Sequence, residues 1–215
     1  MKKSVYSLML FDEIVEQIDE LAYENKTNRS QLINDILADY IGMETPEQKI
    51  QTVLENLDQN VSGVLSVSQI SKNNSIRFGK SLKYKYRPKI RYCYEFKNDG
   101  GRKYAVLKIS SRTTNEDLNQ HFSDFFDHIN TIERAHNQQD CDDGGVGSQH
   151  KFVRAFKNNG AVSRDVTTLT DFLTRYLLMI DSAMNAYFSV DGEGDIDKRL
   201  DDIYSRYFEK EKEGE

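Results

Sequence analysis

The hydrophobic positions in the first forty residues change period once. Along Ser4–Leu10, Tyr6, Leu8 and Leu10 fall on one face of an extended chain and Val5, Ser7 and Met9 on the other, which predicts a strand. The period then lengthens to that of a helix. Ile14, Ile18, Leu21 and Ala22 make one apolar stripe, and Leu32, Ile33, Ile36, Leu37 and Tyr40 make a second. Asn25-Lys26-Thr27-Asn28 separates the two, Asn28 being a good N-cap and Gly42 a C-cap residue for the second helix. Asp12 and Glu13 place negative charge at the positive dipole end of the first. A third helix starts at Thr45-Pro46-Glu47-Gln48, with Thr45 as cap, Pro46 at the first helical position and Gln48 completing a capping box. Ile50, Val53, Leu54, Leu57, Val61 and Val64 continue its stripe.

Farther along, residues 62–75 are rich in Ser and Asn and read as a boundary, although Leu65, Val67 and Ile70 fit a short strand. Residues 82–97 and 102–110 read as two strands around Asn98-Asp99-Gly100-Gly101, a good hairpin signal. Ile90, Tyr92, Tyr94 and Phe96 share one face of the first strand, opposite Lys89, Arg91, Cys93, Glu95 and Lys97. Three helical stripes follow, over 115–137, 165–188 and 195–209, with a Gly- and Asp-rich loop at 140–147 and a charged tail beyond Glu209. The expected organisation is a module over 1–43, a connecting helix over 44–64 and an α+β domain over 65–215. That domain is a small antiparallel sheet covered by helices, with a basic hairpin at 80–110 and acidic helices at 115–209.

The runs Ile18-Asp19-Glu20-Leu21-Ala22 and Asn28-Arg29-Ser30-Gln31-Leu32-Ile33, at their separation in this chain, carry a likeness. Residues 3–43 resemble the ribbon–helix–helix DNA-binding family, the superfamily of the MetJ and Arc repressors. The resemblance implies an intermolecular two-stranded ribbon plus two helices in a homodimer, with the ribbon docked in the major groove of double-stranded DNA. By family position Val5, Ser7 and Met9 would face the bases. Lys2, Lys3, Asn28, Arg29 and Ser30 would meet phosphate, the last three at a helix N-terminus. The implied function is a transcriptional regulator of the repressor type, modulated by the α+β domain. The family also holds antitoxins and plasmid partition or mobilisation factors. This chain departs from the family in offering a single hydroxyl, Ser7, on the outer ribbon face where Arg, Lys, Thr, Asn or Gln is usual. Val5 and Met9 could touch only thymine methyls. Two readings follow: the ribbon reads A·T-rich DNA, or the module is mainly a dimeriser.

Charge sharpens the choice. The 215 residues carry a net −6, unevenly spread. Residues 1–43 hold four basic and eight acidic side chains, residues 72–112 thirteen basic and two acidic, and residues 113–215 eleven basic and twenty-one acidic. The basic block binds phosphate, or it pairs with the acidic helices of its own chain. Lys80 to Tyr92 interleaves cations with rings, the mixture that holds single-stranded nucleic acid. Lys83, Lys85, Arg87, Lys89 and Arg91 are therefore a candidate second surface. They support an alternative function: a dimeric interaction or scaffold protein whose basic sheet takes RNA, single-stranded DNA or an acidic protein. A protein partner or a small ligand at the α+β domain is a further expectation.

Enzyme chemistry finds little footing. There is no G-x-x-x-x-G-K-[ST] loop and no Gly-x-Ser-x-Gly elbow, and Cys93 has no histidine that can be placed beside it. His121 and His128 lie seven residues apart but join no zinc pattern with His136, Cys141 and His150, and the 140–147 loop lacks the ligand spacing of a calcium site. The expectation is no catalysis, no metal and no cofactor. Two cysteines make no disulfide framework, no run is long enough for a membrane helix, and Met1-Lys2-Lys3 is not followed by an apolar signal core. Those features read as a cytoplasmic protein with no membrane partner.

Overall fold

Five of the six described helices begin where a short polar or acidic side chain accepts from a free N–H group; the first, preceded by Phe11, has no such bond. The structure is a computed structural model, and it describes residues 4–71, 74–99, 102–136, 141–142, 151–156, 165–189 and 195–208. Helix α1 spans Asp12–Glu24, with Asp12 and Glu13 in its first turn. Helix α2 spans Arg29–Tyr40, and the Asn28 side chain accepts from the Gln31 N–H at 2.9 Å. Gly42, at φ +70°, follows it in the left-handed region. Helix α3 spans Pro46–Val61 behind a closed capping box: Gln48 N–H donates to Thr45 Oγ1, and Thr45 N–H donates to Gln48 Oε1. The chain divides into two units, residues 1–51 and 52–215, and the division falls inside α3.

The first unit corrects the expected fold. Residues 4–11 form no strand, and the first three regular elements are helices, so the ribbon ahead of two helices is overturned. Alternation of Tyr6, Leu8 and Leu10 gives a strand-like pattern, but a strand exists only through its ladder. No described segment pairs with these residues. Val5 and Met9 are fully exposed instead.

The second unit is built on a six-stranded antiparallel sheet of β1 (Ser66–Ser71), β2 (Ser75–Ser81), β3 (Lys89–Asp99), β4 (Arg102–Ser111), β5 (Cys141–Asp142) and β6 (Lys151–Phe156). The strand order is β1-β2-β3-β4-β6-β5. Cross-strand rows run Phe78–Tyr92–Ile109–Phe152 and Ile76–Tyr94–Leu107–Arg154. All eight side chains are buried, and they define the core face. Two helices lie against it. Helix α4 (Glu116–Ala135) stacks Phe126 on Phe152, and helix α5 (Val166–Phe188) packs Phe172 and Tyr176 edge-on against Phe156. Helix α6 (Ile196–Phe208) joins them through His128–Asp197 and His136–Asp201, at 2.5 and 2.8 Å. Burying each large apolar side chain contributes about 1.5–3 kcal/mol, so this unit carries a core of its own.

Two polar clusters cross the core and are fully satisfied. Arg154 donates to Glu133 and to Asn130, and Tyr176 Oη donates to Glu133 at 2.6 Å, tying β6 to α4 and α5. Asp181 on α5 takes Lys80 Nζ at 2.5 Å and Tyr92 Oη at 3.1 Å. Burial first, and then the Asp181 carboxylate, push the Tyr92 phenol well above its usual range.

The strand expected from residue 82 begins only at Lys89; residues 82–88 are a loop. β2 and β6 were not expected as strands. Of the loop read over 140–147, only Cys141–Asp142 is described, as β5, and the tail beyond Glu209 lies outside the described residues.

Candidate nucleic-acid interface

The loop between β2 and β3 is short of glycine and yet tightly turned. Leu82 N–H donates to the Pro88 carbonyl at 3.0 Å, Tyr84 N–H to Leu82 at 3.0 Å and Arg87 N–H to Tyr84 at 2.9 Å. To make that turn Tyr86 and Arg87 both adopt left-handed backbone, φ +65° and +44°. Each such residue other than glycine costs about 1–2 kcal/mol. The loop's base is anchored: Leu82 and Pro88 are buried, and the Tyr84 ring lies edge-on to Phe188 of α5 at 5.1 Å. Its tip is not. Tyr86 is 88% exposed, and Lys83, Lys85 and Arg87 around it are exposed as well.

From the foot of the loop the cations continue onto the sheet face opposite the core. Lys89 and Arg91 point there, both exposed. Arg91 pairs across the ladders with Gly79 and Ser110, small neighbours that leave the guanidinium open. The next row, Arg77–Cys93–Lys108, carries two more cations. Lys108 donates to both oxygens of Glu95, at 2.8 and 2.7 Å. Cys93 is buried in that row, and burial raises its thiol pKa, so the thiol stays protonated near neutral pH.

The five residues singled out in the sequence, Lys83, Lys85, Arg87, Lys89 and Arg91, thus fall in one continuous stretch of loop and strand. None of them forms an ion pair with a described residue. Within the basic block, pairing with acids of the same chain is seen at Lys80 with Asp181, and at Lys108 and Lys97 with Glu95. Of the tyrosines, Tyr92 and Tyr94 face the core, Tyr84 anchors the loop, and Tyr86 alone of the four is exposed. The sequence carried a sign of this loop in Pro88, which has no N–H to give a central strand.

The N-terminal site residues are placed differently. Val5, Ser7 and Met9 are exposed on a segment without strand structure, and Lys2 and Lys3 lie outside the described residues. Asn28 is engaged as the α2 cap. Arg29 is held by Asp19 of α1 through both its Nε, at 2.6 Å, and a terminal nitrogen. That hydrogen-bonded pair lowers the Asp19 pKa and raises that of Arg29. Ser30 is exposed and offers its backbone carbonyl to Asn34. Arg29 therefore spends its planar fork on its own chain.

No metal cluster of three or more His, Cys, Asp or Glu occurs among the described residues. No described helix is long and apolar enough to cross a membrane. The chain matches no family model, no curated protein and no solved structure.

Proposed function

We propose that this chain is a nucleic-acid-binding protein that works as a pair of identical copies. Its basic loop and sheet face hold the phosphate backbone, and its N-terminal helices bring two copies together. The observation that carries this reading is the set of five exposed cations with no acid partner among the described residues, in a chain whose net charge is −6. Unpaired lysines and arginines concentrated on one surface set a local positive field that the net charge conceals. The likeness of residues 3–43 to a family of repressors supports a regulatory setting for the binding. The contact surface proposed here is the loop and sheet face rather than a ribbon, since residues 4–11 form no strand and the Arg29 side chain is paired with Asp19.

Phosphate binding leaves a signature in salt. Each phosphate neutralised contributes about 0.7–0.9 to the slope of log affinity against log salt. Changing Lys83, Lys85, Arg87, Lys89 and Arg91 to Ala one at a time should lower that slope stepwise and weaken binding to every probe sequence alike. An affinity indifferent to salt, or to all five changes, would sink the reading.

A further inference from the structure

The loop tip specifies the form of nucleic acid, and this inference rests on the reading just given. We propose that the partner is single-stranded and that one of its bases stacks on the ring of Tyr86. A tyrosine held 88% exposed on left-handed backbone is costly twice, in strain and in unburied apolar surface. Among the described residues of the second unit, Tyr86 and Val64 are the exposed large hydrophobic side chains. Among the described residues Tyr86 has no ring partner, whereas Tyr84, two residues earlier, lies against Phe188.

The arrangement is preorganised. Buried Leu82 and Pro88 form a rigid foot, three backbone hydrogen bonds fix the turn, and the ring projects from it. Lys83, Lys85 and Arg87 stand exposed beside Tyr86 in the loop, and Lys89 and Arg91 continue the cations into β3. A flat ring among cations matches a chain that shows a π-face and a phosphate at each step. An undeformed duplex offers the ring no base face, because its bases are stacked inside and only base edges reach the grooves. An acidic peptide would satisfy the cations but would give the ring nothing to stack on.

The test uses the full-length protein and fluorescence anisotropy with four probes: oligothymidylate and oligouridylate about 20 nucleotides long, a duplex of the same length, and polyglutamate as competitor. Tyr86→Ala should weaken binding of the single strands about tenfold, leave duplex binding unchanged, and leave the salt slope unchanged. Tyr86→Phe should restore single-strand binding, since the ring and not the hydroxyl stacks. The two single-stranded probes separate DNA from RNA. The inference is overturned if Tyr86→Ala has no effect on single strands, if it weakens duplex and single strands equally, or if polyglutamate competes as well as oligothymidylate. Should Tyr86 prove silent while Lys85→Ala and Arg87→Ala weaken all nucleic-acid probes, only this inference falls. Should the unaltered protein bind none of them, the broader reading falls with it.

Discussion

Tyr86 shows how one residue can trade stability for exposure. Its backbone sits at φ +65°, where glycine is at ease and a side chain is not. Tyr86→Gly should therefore stabilise the second unit, by up to about 1 kcal/mol once the greater freedom of glycine in the unfolded chain is subtracted. The same change removes the ring and should weaken single-strand binding as much as Tyr86→Ala does. A melting curve and an anisotropy titration on one sample would check both directions. A lower melting temperature for Tyr86→Gly would mean that the ring supports the fold, contrary to its exposure. Arg29 makes the complementary point. From the sequence it is a cation at a helix start; in the structure Asp19, ten residues earlier, accepts from two of its nitrogens. A partner that close in the chain but on another helix is visible only once the turn at Asn25–Asn28 sets the angle between α1 and α2.

At the scale of elements, the buried Arg154–Glu133–Tyr176 cluster decides how β6 is held. Arg154 and Glu133 side chains are 2% and 5% exposed, so removing either takes a close opposite charge from its partner in a dry site. Glu133→Ala should cost about 3–5 kcal/mol, measured by urea unfolding. Arg154→Met with Glu133→Leu should recover most of that loss, because the double change removes both charges of the pair together. A double variant as unstable as the single one would show that the cluster's other members, Asn130 and Tyr176, cannot tolerate its loss. The cluster also explains why β6 was not legible in the sequence. Phe152, Arg154 and Phe156 share the core face, and an arginine at the centre of an apolar alternation reads as a surface position unless its acid is known. β2 escaped notice for a different reason: Ile76 and Phe78 are its only large apolar residues, next to a Ser- and Asn-rich stretch. The helices were legible because their signals are local. Asn28, Thr45, Asn115 and Asp165 each accept an N–H from the first turn of the helix they precede. The β3 alternation was legible from Ile90 onward, and the five cations of the candidate surface could be named. The turn at 82–88 could not, because Leu82-Lys83-Tyr84-Lys85-Tyr86 alternates as a strand would and the chain turns there regardless.

For the whole molecule the decisive contrast lies between its two units. The second buries a continuous core; in the first, Ala22 is the one apolar side chain of residues 4–51 that is buried. The stripes that ought to lie inside are open, with Ile14 45%, Leu21 43%, Ile36 45% and Leu37 50% exposed. A unit this small rarely stands without an added partner. Fourteen of the sixteen exposed large hydrophobic side chains among the described residues belong to it. A second copy of the same unit offers the same apolar surface, and an isologous pair needs only that one patch be self-complementary. The rings of Tyr6, Phe11, Tyr23 and Tyr40 are largely exposed as well. Each Ile or Leu buried between two copies contributes about 1.5–3 kcal/mol, and two-fold symmetry counts every substitution twice. Ile36→Asp or Leu37→Asp should therefore weaken association by about a hundredfold or more and lower helical content, because α1 and α2 lose the surface that holds them folded. Sedimentation velocity at micromolar concentration, with circular dichroism on the same samples, checks this. The unaltered protein should run as two copies and the variants as one; a single copy for the unaltered protein, with α1 and α2 still folded, would refute the pairing.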